Sequence, residues 1–147
     1  MPLKKLQISP GSRVVFLPIK PRYMEPIMGG TKTVEYRRRP PQQPVSLVVL
    51  YSSSPVKRVV GIAEVIEVCC GRKEAIWAST FRQGGITRKE YDEYFYGRDM
   101  GCVLKLGKIL KLITPLNPST IKRGFLVPQS YSYVDANFIT RIYEKGF

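Results

Sequence analysis

Residues 29–41 read GGTKTVEYRRRPP, a run holding two glycines, a lysine, one glutamate and three consecutive arginines. Glu35 is the only acid between Pro26 and Ile62. A surface that merely attracts anions has no use for a carboxylate there, whereas a site that holds a ligand in one orientation does. Side chains alternate faces along a strand, which predicts Thr33, Glu35, Arg37 and Arg39 on one side and Val34, Tyr36 and Arg38 on the other. Glu35 and Arg37 are then neighbours able to pair. Lys32, still in the glycine turn, can converge on the same pocket.

The basic character extends well beyond this run. The chain has 147 residues and a net charge of +13, distributed as +9 over residues 1–58, −1 over 59–97 and +5 over 98–147. The excess sits at the two ends and skips the middle, an asymmetry that favours a polyanionic partner, nucleic acid or an acidic membrane surface. The length predicts one domain over residues 1–147, with its core at about 13–134. No run of about 18 apolar residues is present, and MPLKKLQISPGS at the N-terminus lacks the apolar segment of a secretory signal. A cytoplasmic location with no membrane partner is the expectation. Cys69, Cys70 and Cys102 lie in strand-like apolar runs and read as reduced core thiols. The sequence has no histidine, which excludes Ser-His-Asp and Cys-His mechanisms. Without histidine or a CxxC pair, neither a metal site nor a cofactor is expected.

Working outward, RVVFLPIK at 13–20 reads as a strand, with Pro21 opening a helix of one or two turns that closes at Gly29-Gly30. KTVEYRRR reads as a strand stopped by Pro40-Pro41, and VSLVVLYSSS as an apolar strand running into serines. KRVVGIAEVIEVCC, apolar on both faces, reads as a central strand in which Gly61 marks a bulge or a close backbone approach. RKEAIWASTF has helical spacing. In ITRKEYDEYFYG, Thr87 and Glu90 form a capping box, with Ile86 and Tyr91 as the hydrophobic staple across it. CVLKLGKILKLI returns to strand with a phase slip at Gly107, and a last short helix is expected near 135–143. Strands with helices inserted between them predict an α+β fold, a small, mostly antiparallel barrel or curled sheet.

The segment GTKTVEYR, Gly30 to Arg37, resembles the G-x-K-x-x-E-x-R signature of the ASCH domain, a branch of the PUA-like superfamily. IKPRY before it, then YSSSPVKRVVG, GITRKEYDEYFYGRD and PQSYSYV after it, extend the resemblance in order from about Phe16 to Val134. It implies a PUA-like β-barrel with inserted helices and a cleft between barrel and helices. It also implies binding of RNA or nucleotides, with hydrolase or ribonuclease activity in some members. In one subgroup, which hydrolyses N4-acetylcytidine, a lysine, a threonine and a glutamate act together. Lys32 matches the lysine and Glu90 lies in a comparable helix, but Glu35 stands in place of the threonine nucleophile.

The expected nucleic-acid contacts are Lys20, Arg22 and Lys32 on phosphates and Arg37 and Arg39 on the face of Glu35, which orients a cation or accepts a hydrogen bond from a base edge. Ser52 and Ser53 add hydroxyl and backbone donors, and Tyr96, off the apolar stripe of its helix, is a stacking candidate. If the protein is an enzyme, Lys32, Glu35 and Glu90 carry the chemistry. Each has a plainer reading as well: Glu35 with Arg37 as a strand-face ion pair, Glu90 as a cap, and the arginine run as a solvated edge. Three functions remain open: an RNA- or nucleotide-binding module, a metal-independent hydrolase of RNA or a modified nucleoside in the same cleft, and bulk attraction to DNA or a membrane surface.

Overall fold

The computed structural model describes residues 3–147. Among them are six strands: β1 (Arg13–Ile19), β2 (Val34–Arg37), β3 (Val45–Ser52), β4 (Arg58–Arg72), β5 (Met100–Leu116) and β6 (Ser132–Val134). Five helices accompany them: α1 (Pro21–Met28), α2 (Lys73–Thr80), α3 (Arg88–Tyr94), α4 (Pro118–Ile121) and α5 (Ala136–Gly146). The strands form one sheet in the order β2-β5-β4-β3-β1-β6. Only β1 and β3 pair in parallel, and the other neighbours are antiparallel.

The expected barrel is realised as a strongly curled sheet that does not close. Tyr131 just before β6 and Tyr133 within it instead reach the chain after β2 through their side chains. The Tyr131 hydroxyl donates to the Pro40 carbonyl at 3.3 Å, and the Tyr133 hydroxyl accepts from the backbone of Gln42 at 3.0 Å.

The parallel pair sits inside because its sequence is apolar on both faces. Val14 and Phe16 of β1, with Leu47 and Val49 of β3, pack beneath Phe138, Ile139 and Ile142 of α5. The alternate residues Val15, Leu17, Val48 and Leu50 face the other way, against Met24 and Ile27 of α1. Burying each such side chain contributes roughly 1.5–3 kcal/mol, so two buried faces hold β1 and β3 more firmly than any cap does. A third cluster joins Val34 and Tyr36 of β2 to Ile76 of α2, Tyr91 of α3 and Phe95 just after α3. This cluster fixes the helical pair against the edge of the sheet.

Gly61 lies at a register shift between β4 and β5, and a Cβ there would stand 2.7 Å from the Met28 side chain and 3.0 Å from the Leu110 carbonyl. The β5 bulge falls beside Gly107, where Ala63 and Val65 of β4 face Ile109 and Leu106.

The cysteines depart from the expected reduced thiols. The β4–β5 register sets Cys70 directly opposite Cys102, with Cα atoms 4.2 Å apart, and the two form a disulfide. Cys69, on the other face, is free. Among the described residues no helix is long and apolar enough to cross a membrane.

Candidate functional site

Between the curled sheet and the helices lies a cleft of about 460 Å³. One wall is β2. Val34 and Tyr36 turn into the third cluster, while Glu35 and Arg37 turn to the cleft. Helix α1 forms the second wall and α3 the third, contributing Tyr23 and Glu90.

Lys32 is placed by backbone bonds before the strand begins. Its N–H and that of Thr31 both donate to the Pro26 carbonyl at 3.0 Å, which wraps the turn after α1 onto the helix end. The side chain is 1% exposed. Its Nζ donates to the Gly84 carbonyl at 2.5 Å and lies 3.5 Å from Glu35 Oε1. The ammonium also sits 5.2 Å from the Tyr36 ring centroid and 5.8 Å from that of Tyr23. Burial lowers the pKa of Lys32, and the nearby Glu35 carboxylate opposes that shift only in part. The ammonium thus donates one hydrogen bond and holds one ion pair within the protein.

Glu35 is bracketed by cations. Its second oxygen accepts from Arg37 at 3.2 Å, and the same guanidinium nitrogen donates to the Pro18 carbonyl at 2.8 Å. Arg37 Nε is buried without a hydrogen-bond partner.

Glu90 both caps α3 and faces the cleft. Oε1 completes the capping box, accepting from the Thr87 N–H at 3.1 Å, while the Thr87 hydroxyl accepts from the Glu90 N–H at 3.1 Å. Oε2 instead faces the cleft, where it accepts from the Tyr23 hydroxyl and lies 3.6 Å from Arg22. The hydrogen bonds from Tyr23 and from the Thr87 backbone hold the Glu90 carboxyl below its ordinary range. Tyr23 responds in the opposite sense. Burial, reinforced by the bond to Glu90, raises its phenol to about 12.

Of the residues singled out from the sequence, Lys20, Arg22, Lys32, Glu35, Arg37, Ser53 and Glu90 line the cleft together. Ser52 is buried at the end of β3 and does not line it. Arg39 lies outside because β2 ends at Arg37, and it belongs to a neighbouring hollow. Arg38 does not continue the opposite strand face either. It leaves the strand and donates from Nε to the Tyr94 carbonyl at 2.8 Å. Tyr96 is 86% exposed beyond α3 and lines neither cavity. Tyr23 and Gln129 line the cleft without having been singled out. For Tyr23 the available signal was its place at the end of IKPRY, one residue after Arg22.

Among the described residues no three His, Cys, Asp or Glu side chains cluster as metal ligands would. The cleft offers three phenols, three carboxylates, two amines of which Lys32 is buried, and two guanidiniums around one opening. Such a set can bind a phosphodiester and move a proton at it.

Comparison with known proteins agrees with this architecture. The chain is 28% identical over 129 residues to the ASCH domain-containing ribonuclease of Zymomonas mobilis, covering 85% of this chain and 86% of that one. It is 31% identical over 105 residues to large ribosomal subunit protein uL22 of Ureaplasma parvum, but spans only 33% of that protein's length. The crystal structure of ASCH from Zymomonas mobilis superposes with a TM-score of 0.85 at 24% identity, over 92% of this chain and 96% of that one, and so has the same fold. Residues 17–110 match the ASCH domain, and the chain belongs to the ASCH domain family.

Proposed function

We propose that the cleft binds single-stranded RNA and cleaves it, with the strand's own 2′-hydroxyl attacking the adjacent phosphorus. The observation that carries this reading is the Tyr23–Glu90 hydrogen bond in the same cleft as buried Lys32. As the O2′–P bond forms, Tyr23 takes the 2′-hydroxyl proton and passes its own to Glu90 Oε2. As the P–O5′ bond breaks, Lys32, made more acidic by burial, gives its proton to the departing 5′-oxygen. Its charge also offsets the charge that develops on the phosphate oxygens. The products are a 2′,3′-cyclic phosphate and a 5′-hydroxyl, and transfer from Glu90 back to Lys32 resets the site. Arg22 and Arg37 position the phosphates, and Lys20 and Ser53 stand at the rim. The similarity to a ribonuclease over nearly the whole of both chains supports this reading.

Binding without turnover is the second reading, favoured by the tie of Glu90 into the helix cap. The test is to incubate the protein with a short single-stranded RNA and with its 2′-O-methyl counterpart, following products by mass spectrometry. The expected result is cleavage of the first alone, ending in a cyclic phosphate. Binding of both without cleavage would replace the nuclease with a binding module, and binding of neither would overturn the RNA reading.

A further inference from the structure

Next to the cleft, and sharing Arg37 and Tyr94 with it, lies a second hollow of about 660 Å³ walled also by Arg38, Arg39, Arg98 and Tyr131. No carboxylate lines it. Its arginines fall into two kinds. Arg37 is held by Glu35 and the Pro18 carbonyl, and Arg38 by the Tyr94 carbonyl with its guanidinium 4.4 Å over the Tyr94 ring. Arg39 and Arg98 are exposed, and neither has an ion-pair partner or a side-chain hydrogen bond among the described residues. Tyr131 is fixed opposite them by its bond to Pro40 and by edge contact with Tyr133 at 6.0 Å.

Arg38, Arg39 and Arg98 have no carboxylate partner among the described residues, and three such charges in one hollow repel each other unless an anion lies among them. Guanidiniums suit phosphate oxygens through paired N–H donors, and a fixed tyrosine ring offers a face to a base. Because Arg37 and Tyr94 belong to both cavities, a strand that leaves the cleft past these two residues enters this hollow. Resting on the RNA reading of the cleft, we infer that the hollow holds the neighbouring phosphodiester and base of the same strand. The substrate is then an oligonucleotide and not a free nucleotide or nucleoside.

The test compares uridine monophosphate with a non-cleavable 2′-O-methyl tetranucleotide on the full chain and on the double variant Arg39→Gln/Arg98→Gln. The wild type should bind the tetranucleotide far more tightly, and the double variant should lose about tenfold of that gain. Its log–log salt slope should become shallower by roughly 0.7 for each phosphate no longer neutralised. Tyr131→Ala should also lower tetranucleotide affinity by about tenfold, with the slope unchanged.

A gain and slope unaltered by the double variant overturn the inference. So does displacement of the tetranucleotide by oligoglutamate of equal charge as readily as by RNA, which would make the hollow a dock for an acidic protein. Lys32→Met separates this failure from failure of the cleft reading. It should weaken mononucleotide and tetranucleotide binding alike, and no effect on either would remove the RNA cleft and the hollow's role together.

Discussion

Tyr23 and Glu90, 67 residues apart, meet at the cleft through a hydrogen bond from the phenol to Oε2, while Oε1 of the same carboxylate closes the cap of α3. One side chain therefore anchors a helix and faces the ligand space. The two roles are separable by substitution. Glu90→Gln keeps an acceptor in the capping box, since glutamine serves there as well as glutamate, and stability should stay within about 0.5 kcal/mol. RNA cleavage should fall about 100-fold, because the proton acceptor is gone. Denaturant melts beside cleavage rates measure both, and an equal loss in each would make Glu90 a cap only.

Tyr23→Phe removes the relay hydroxyl without altering the cap. Cleavage should fall by about 10–100-fold, while RNA affinity changes little because Arg22, Lys32 and Arg37 remain. Single-turnover rates with saturating protein would isolate the step. Unchanged rates would remove Tyr23 from the chemistry.

The pH dependence of stability has a definite sign in each range. Lys32 has a folded-state pKa below its ordinary 10.5. The unfolded chain thus binds more protons between those two values, and stability rises with pH across that window. Tyr23 is raised from 10.0 to about 12 and Tyr36 and Tyr91 are raised as well. Their contribution is full below the ordinary phenol value and is lost as pH climbs through the folded values. Unfolding free energy measured across the alkaline range should rise and then fall. Lys32→Met should flatten the rise and leave the fall. A rise equally steep in Lys32→Met would show that this amine is not its source.

What the sequence disclosed about the site follows the range of the interaction. The two faces of β2 were legible because the period of a strand is local, and the Thr87–Glu90 cap was legible because its atoms lie three residues apart. The Tyr23–Glu90 contact needs α1 and α3 brought together by the sheet between them, which no local pattern encodes. Arg39 was expected to share a face with Glu35 because the strand was read up to Pro40, yet the ladder with β5 ends at Arg37. The Cys70–Cys102 pairing depends on the β4–β5 register, and three shifts along that ladder set it. Bulges of that kind have weak sequence signals. Gly61 and Gly107 could be marked as irregular, but not the number of residues each would displace.

Gly85 tests whether the turn over Lys32 matters. Its φ is +63, and an added Cβ would stand 2.9 Å from Lys32 Cβ. Gly85→Ala should cost about 2 kcal/mol of stability and lower RNA affinity, since Lys32 has to move. Gly97, with φ +75 and open space where a Cβ would go, is the control. Gly97→Ala should cost about 1 kcal/mol through backbone strain with RNA binding intact. Equal RNA affinities in the two variants would dissociate the glycine turn from the site.

Glu35 raised the first question, and its surroundings answer it in energetic terms. It is 7% exposed between Lys32 at 3.5 Å and Arg37 at 3.2 Å. Without its charge, two cations would face each other in a poorly solvated space. Removing one partner from a buried pair costs about 3–5 kcal/mol. Glu35→Gln, which keeps one acceptor oxygen, should cost about 3 kcal/mol, near the low end. The double variant Lys32→Met/Glu35→Gln removes one cation together with the carboxylate and should recover most of that loss, giving a coupling energy of about 2 kcal/mol. Urea melts of the two single variants and the double variant measure the cycle. A Glu35→Gln protein of full stability but altered nucleotide selectivity would mean that Glu35 meets the ligand directly. Loss of stability with selectivity unchanged would instead place Glu35 one step back, holding Lys32 and Arg37 at the cleft.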